Sequence, residues 1–303
     1  MTRHRQVGTP ARPFPSCEEP PMPLNLSKVG YTTQPSAFTF NWKTLATYAL
    51  GIGAKREELE YLYEGAPGGM KVYPTFGVIP SQGTVFEALE VAGAELALIV
   101  HGGQTLRVHR ALPTSGTLFT TATLAGIYDL KKFAQVIVET KTTLNDEPLF
   151  DTVWSIIVRG VGGFGGPRPP HAESEAPVPK DREPDWVVEQ ATAPEQALLY
   201  RLSGDENPLH ADPEVAAKAS FTQGPILHGL CTYGFAARAI IQKAAGGDAS
   251  RLRAYGAQFR KPVWPGDTLI TRGWALAGGK VAVVTSVKDR PDPVLTSAWA
   301  EIG

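Results

Sequence analysis

Apolar residues recur at helical spacing in the second half of the chain, and four stretches of alternating apolar and polar positions follow them. Helical spacing runs over residues 228–245 and is ended by Gly246 and Gly247, while a shorter helix is predicted over 194–200. The alternating stretches predict strands at 251–260, 268–276, 280–287 and 294–301, separated by PGD, AGG and RPDP turns. Because one long helix can cover the apolar face of a curled antiparallel sheet, this half predicts a helix packed on a meander of strands.

The first half repeats this order in outline. The same patterns predict helices at 42–53 and 82–92, and strands at 97–107, 116–128, 132–144 and 147–159. No repeat of individual residues survives, but the order indicates two diverged copies of one α+β unit. A stretch dense in glycine, proline and charge lies between them. We therefore predict a tail over 1–25, a first domain over 26–160, a linker over 161–185 and a second domain over 186–303.

Composition narrows the class of protein without naming a function. The chain has 303 residues, 43% of them hydrophobic and 19% charged, which excludes disorder throughout. The formal net charge is -1, so no global field favours nucleic acid. No apolar run approaches the roughly 20 residues that cross a bilayer. Two distant cysteines, Cys17 and Cys231, favour a reducing compartment, and the final residues AEIG lack a peroxisomal SKL signal. We expect a cytoplasmic protein with no membrane partner.

The segment YRLSGDENPLH, residues 200–210, concentrates residues that can carry acid and base chemistry. Asp205 and His210 are five positions apart, but the Asn207-Pro208 pair between them forces a turn that can direct both toward one point. A carboxylate and an imidazole that share one water can each accept or donate a proton near neutral pH. The pattern therefore predicts an acid/base site.

Gly229 lies in GPILHGL, at the predicted start of the long helix. Helix N-termini expose unpaired N–H groups and a partial positive charge, so this amide can hold an oxyanion. A glycine also lets a substrate carbonyl approach closely. A water-activating pair and an oxyanion donor together predict the addition of water to, or its removal from, a carbon next to an activated carbonyl.

These residues carry a family resemblance. YRLSGDENPLHADP followed by PILHGLCTYGFAAR resembles the signature of the (R)-specific 2-enoyl-CoA hydratases, hydratase 2, of the MaoC-like group with hot-dog folds. The first half resembles the N-terminal repeat of that family through WKTLATYALGIGA, YLYEG, VYPTFGVI, LIVHGGQTL, ALPTSG and VGGFGG. The resemblance implies two hot-dog domains on one chain, with catalysis in the second and room for an acyl chain in the first.

The resemblance also implies roles for particular residues. Asp205 and His210 match the family's catalytic pair, Asn207 an orienting asparagine and Gly229 the oxyanion glycine; together they would hydrate a trans-2-enoyl thioester to an (R)-3-hydroxyacyl-CoA, or reverse that step. The further residues expected near the substrate are Glu64, Gly204 and, for the phosphates of CoA, Arg251, Arg260 and Lys261. No cofactor beyond the CoA of the substrate is implied, a carrier-protein thioester remains an alternative substrate, and a homodimer is expected.

The sequence departs from the family pattern in the loop 220–225, which is one residue longer and begins with Ser220. This loop is expected to border the site and to influence selectivity for the acyl chain. A second departure, Thr44-Leu45 where an aspartate often follows the tryptophan, has no predicted consequence.

Other interpretations compete with this one. His228 is interpreted as satisfying a helix end, and Cys231 as a core thiol. A metal could be held by Asp205, His210, Asp212 and His228, but no familiar ligand spacing is present, so no metal is predicted. The glycine run from Gly160 to Gly165 fits a dinucleotide motif formally, yet GPRPPH after it cannot open a helix. A hot-dog acyl-CoA thioesterase and a non-catalytic acyl-thioester binding module remain alternative functions.

Overall fold

A ten-stranded antiparallel sheet runs through the part of the chain that the structure describes. The structure, a computed structural model, describes residues 24–170 and 175–303. The first half contributes β1 (Ser36–Phe40), β2 (Ile99–Val108), β3 (Gly116–Asp129), β4 (Phe133–Leu144) and β5 (Glu147–Arg159). The second half contributes β6 (Trp186–Ala191), β7 (Leu252–Phe259), β8 (Thr268–Ala275), β9 (Lys280–Val287) and β10 (Pro293–Ile302).

The two halves have the same strand order. The sheet runs β1-β3-β4-β5-β2-β7-β10-β9-β8-β6, so each half reads first, third, fourth, fifth and second strand from its outer edge. β2 and β7 join them at the centre, with Gly103 opposite Gln258 and Arg107 opposite Ala254. The prediction of two α+β units of one design is confirmed, and the shared β2–β7 pair removes the edge that each unit alone would expose.

In the chain, the helices lie between the first and second strands of each half. They are α1 (Trp42–Gly51), α2 (Gln82–Val91), α3 (Gln196–Tyr200), α4 (Pro213–Lys218) and α5 (Gly229–Lys243). α5 is the longest, and every residue from Leu230 to Ile241 is buried. A helix that is buried on all sides lies inside a core, so α5 lies at the centre of the second half.

Two strands were missed by the sequence analysis. β1 and β6 are the outer strands of the sheet, five and six residues long, and more than half of their residues are accessible to solvent. Short edge strands bury few apolar side chains, so their alternation is weak. The predicted tail falls almost wholly outside the described residues, as does Cys17.

The glycine run over 160–165 contacts the end of β3. Asp129 at the end of β3 accepts hydrogen bonds from the amides of Gly163 and Gly165, both at 2.9 Å. These amide contacts lower the pKa of Asp129. The run therefore binds a carboxylate of the chain's own first half.

No helix in the described residues is long and apolar enough to cross a membrane.

The first half also packs tightly against α5. Ile52, which follows α1, lies so close to Gly234 that a Cβ on the glycine would come within 2.3 Å of it. Nearby, Arg238 of α5 forms an ion pair with Glu58, donates to the carbonyl of Ile52 at 3.1 Å and is itself 7% exposed. One hydrophobic core thus spans both halves, and α5 is its shared centre.

Candidate active site

The segment after α3 folds through a series of local hydrogen bonds. Gly204 has φ +128°, a backbone conformation that residues with a Cβ rarely adopt. Asp205 then accepts from the amide of Asn207 at 3.2 Å, and Asn207 accepts from the amide of Leu209 at 3.0 Å, where it caps a single 3₁₀ turn, Pro208–His210. This turn reverses the chain within six residues and brings His210 back beside Asp205.

The imidazole of His210 is held in one orientation. Its Nδ1 lies 2.8 Å from the carbonyl oxygen of Ile226. Because a carbonyl only accepts, Nδ1 carries the proton and Nε2 keeps a free lone pair. His210 is buried, at 9% exposure, and also lines a cleft open to solvent. The free nitrogen is therefore available as a base.

A second histidine completes the cluster. The ring of His228 stacks on that of His210 with centroids 3.7 Å apart, and its Nε2 donates to the backbone carbonyl of Asp205 at 3.1 Å. One ligand-type atom each from Asp205, His210 and His228 lies within 4.8 Å of the others. The prediction that His228 satisfies a helix end is wrong, because its side chain makes no capping hydrogen bond to α5 and donates to Asp205 instead.

Burial keeps both histidines neutral. It lowers the pKa of His210, against the opposing effects of the Ile226 carbonyl and the Asp205 carboxylate. Burial, the neighbouring His210 and the charge of Arg201 together lower the pKa of His228 to about 2. At neutral pH the site therefore contains two uncharged imidazoles beside one carboxyl group.

Gly229 is the first residue of α5 and directly follows His228. The first amides of a helix have no partner within the helix, which leaves the Gly229 N–H free to donate. A Cβ at this position would lie 3.3 Å from the ring of Phe259. The amide of Leu227, bonded to the carbonyl of Val263 at 2.7 Å, fixes the approach of the chain to this helix end.

A cleft of about 500 Å³ leads to His210. Its lining is Pro194, Leu198, His210, Ala211, Gln223, Pro225, Trp264, Pro265, Asp267 and Arg290. The loop that departs from the family pattern contributes Gln223 and Pro225, so it borders the site as predicted. Arg290 lies over the ring of Trp264 at 5.1 Å and pairs with Asp267. These three residues were not predicted from the sequence, although PVWPGD and RPDP contain them.

The other predicted residues lie elsewhere. Glu64 is exposed and lines a second pocket of about 310 Å³, formed only by residues of the first half. Arg251, Arg260 and Lys261 are also exposed and do not line the cleft that contains His210. Arg251 donates to the carbonyl of Gly303 at 2.9 Å, Arg260 to Thr296 at 2.9 Å, and Lys261 pairs with Asp292 at 3.0 Å. The structure does not bring these four residues to the Asp205 and His210 pair.

The geometry of the histidine pair disfavours a shared metal ion. A metal lies in the plane of each imidazole that binds it, about 2 Å from the nitrogen. The two rings are stacked with an angle of 28° between their planes. Rings stacked at so small an angle direct their nitrogen lone pairs along nearly parallel planes, which disfavours a shared ion although the three ligand atoms lie within 4.8 Å of one another. The expectation of no metal remains a prediction.

Comparisons with known proteins agree with this fold and identify the family. Residues 38–160 match the MFE-2 hydratase 2 N-terminal domain and residues 175–294 the MaoC like domain. Enoyl-CoA hydratase 2, peroxisomal, of Arabidopsis thaliana is 39% identical over 85% of this chain and 89% of its own. The 3-hydroxyacyl-thioester dehydratase Y of Mycobacterium tuberculosis is 37% identical over 88% of this chain and 92% of its own.

A solved structure extends the likeness to the fold. The MaoC-like dehydratase of Phytophthora capsici superposes with a TM-score of 0.82 at 31% identity, covering 92% of this chain and 98% of that protein. The predicted pair of hot-dog domains and the predicted family are thereby confirmed. This chain is a hydro-lyase and belongs to the hydratase 2 family of MaoC-like, double hot-dog enzymes.

Proposed function

We propose that this hydratase adds water to trans-2-enoyl-CoA thioesters to give (R)-3-hydroxyacyl-CoA, and catalyses the reverse dehydration. The observation that carries the proposal is the proximity of the Asp205 side chain to the His210 ring. The hydrogen bond from Nδ1 of His210 to the Ile226 carbonyl fixes this ring and leaves its Nε2 with a free lone pair. Two acceptors that close together can bind both hydrogens of one water and direct its oxygen outward. Asn207 holds the turn that sets their separation.

The proposed reaction needs no external proton. The water oxygen forms a bond with C3 while one of its O–H bonds breaks, and that proton passes to C2 as the carbon–carbon double bond is consumed. Because one water supplies both groups from one side, the addition is syn. Negative charge that develops on the thioester oxygen is stabilised by the Gly229 amide at the N-terminus of α5.

The cleft supports a thioester substrate. Its lining includes His210 together with Trp264 and Arg290, so an aromatic ring and a cation lie in the same cleft as the proposed base. Arg251, Arg260 and Lys261 remain our proposal for the CoA phosphates. Glu64 and Gly204 keep their proposed supporting roles at the substrate, while a cytoplasmic location and a homodimer stay predictions. The Arabidopsis relative is named peroxisomal, so its name does not support a cytoplasmic location.

The test is loss of the conjugated absorbance of crotonyl-CoA and of longer enoyl-CoA thioesters, with chiral analysis of the product. We expect (R)-3-hydroxyacyl-CoA. Asp205→Asn and His210→Ala should each reduce kcat by about 10²- to 10⁴-fold. Glu206→Gln is the matched control, because Glu206 is the exposed carboxylate next to Asp205; it should retain the activity of the parent enzyme.

The same assay separates the alternatives. A thioesterase would release free CoA thiol from saturated and unsaturated thioesters alike, and a binding module would retain the thioester without turnover. Release of thiol, an (S) product, or mild effects of both Asp205→Asn and His210→Ala would overturn the proposal.

A further inference from the structure

His228 contacts both groups of the proposed catalytic pair, although it was not assigned to the site by sequence. Its ring is 1% exposed and stacks on His210 at 3.7 Å, while its Nε2 holds the peptide carbonyl of Asp205 at 3.1 Å. It also directly precedes Gly229 in the chain. One side chain thus contacts the ring of the base and the backbone of the acid, and its own backbone leads into the oxyanion amide.

The protonation of His228 follows from its contacts. The Asp205 carbonyl requires a proton on Nε2, so Nδ1 of the neutral ring carries only a lone pair. Nδ1 is buried and has no hydrogen-bond partner among the described residues. A proton added there would create a buried cation against His210, with Arg201 as a further repelling charge. The titratable and charged groups around the ring are thus His210, Asp205, Tyr200 and Arg201. Burial, His210 and Arg201 favour the neutral form, and they outweigh the opposing effect of the hydrogen bond to Asp205.

Aromatic side chains pack against the His228 ring. Tyr200 lies against it with centroids 4.9 Å apart, and Tyr48 of α1 lies 6.2 Å from Tyr200. Tyr48 in turn packs on Phe76 of the first half at 5.6 Å. A buried series of aromatic rings therefore runs from the first-half core to His210, and His228 is the member that contacts the pair.

We infer that His228 is a positioning residue for the proposed hydratase reaction, which fixes the Asp205 backbone through Nε2–H and covers one face of the His210 ring. This inference rests on the proposed function. Each of the two contacts has its own effect. The hydrogen bond to the Asp205 carbonyl sets where the carboxylate lies, and the stack on His210 keeps water from one face of that ring.

Two substitutions separate these contacts. His228→Phe keeps an aromatic ring on His210 but cannot donate to Asp205, and should lower kcat for crotonyl-CoA by about 10- to 100-fold with KM within about threefold, because a catalytic group misplaced by 1 Å costs about that much. His228→Gln keeps a donor near the position of Nε2 but removes the stack. Water then reaches His210, its pKa rises, and the acidic limb of kcat/KM should move to higher pH.

Cys231→Ala is the matched control. Cys231 is fully buried three positions further along α5 and donates to the Gly51 carbonyl at 3.2 Å, away from the pair. This variant should lower the melting temperature and leave the pH profile unchanged. If both His228 variants fold with parent-like kcat and pH profiles, the inference is wrong while the proposed function stands. If the parent enzyme hydrates no enoyl thioester, the proposed function itself fails.

A measurement on the parent chain covers variants that fail to fold. Nitrogen NMR of the histidine rings should show His228 neutral, with its proton on Nε2, from pH 5 to pH 8. A proton on Nδ1, or titration of His228 within this range, would overturn the inference.

Discussion

The two halves of the molecule share one strand order and differ in the chain segment that connects their first and second strands. In the second half this segment contains the turn with Asp205 and His210 and the 15-residue α5. In the first half it contains the ten-residue α2 and Phe76, which packs in a buried aromatic group. The charged Glu58 of the first half is bound to Arg238 of α5. The same scaffold thus carries the proposed acid/base pair in one copy, and the other copy supports its central helix.

The largest expected effect comes from breaking this support. Arg238→Ala leaves the partly buried Glu58 without its cation, and we expect it to lower the free energy of unfolding by about 3 kcal/mol. Urea unfolding at pH 7 measures this loss. Lys288→Ala is the control, since its pair with Glu189 lies on the surface with both side chains more than half exposed; it should change stability by less than about 0.5 kcal/mol.

The ion pair also has a defined pH dependence. Burial alone would raise the pKa of Glu58, but the hydrogen bond and charge of Arg238 and the Tyr73 hydroxyl lower it below its ordinary value. The contribution is therefore present above the ordinary pKa of a glutamate and is lost as pH falls through the lowered value. In Arg238→Ala this part of the acid sensitivity should disappear. Equal stability of Arg238→Ala and Lys288→Ala would show that the halves do not depend on this contact.

The sequence predicted the elements with strong patterns and missed those without them. α5 and the long strands were placed within a few residues because each buries a continuous apolar set. β1 and β6 were missed because an edge strand has half of its surface in water. The turn of Asp205 and His210 was readable because Gly204, Asn207 and Pro208 are local signals.

The rest of the site depends on contacts that no local pattern contains. His228 lies 18 positions after His210, and the two rings stack while the Ile226 carbonyl holds the His210 ring from another element. Arg238 and Glu58 are 180 positions apart. The prediction that Glu64 lies at the substrate came from resemblance alone, and the structure puts it in a pocket of the first half.

A smaller change in stability is expected from His101, a buried-ring histidine of the first half that has no proposed role in catalysis. His101 of β2 is stacked on Trp154 at 4.8 Å and bonded to the Gly103 carbonyl at 3.0 Å, and burial lowers its pKa to about 4. The unfolded chain therefore takes up this proton first, so stability is full above about pH 6.5 and falls as pH decreases toward 4. One such group contributes at most about 1.4 kcal/mol per pH unit.

We expect His101→Gln to reduce the loss of stability between pH 6.5 and 5, measured by urea unfolding at each pH. The acidic limb of kcat/KM should stay where it is in the parent enzyme, because the proposed base is His210 in the second half. A shift of that limb in His101→Gln would contradict the division of roles between the halves.

The smallest effect concerns the CoA phosphates, which we assign to the second half. Arg260 and Lys261 are exposed, so each contributes little to binding, and Lys261→Gln should raise KM for crotonyl-CoA by about threefold. The thioester of pantetheine lacks the phosphates of CoA, so its KM should not change. Lys288→Gln removes another exposed cation of the same half and controls for net charge. If Lys261→Gln and Arg260→Gln leave both KM values unchanged while Arg290→Gln raises the KM for crotonyl-CoA, the phosphates bind at the cleft. The proposed base His210 and the residue that binds the CoA phosphates would then line the same cleft, and the second half would still bind the substrate.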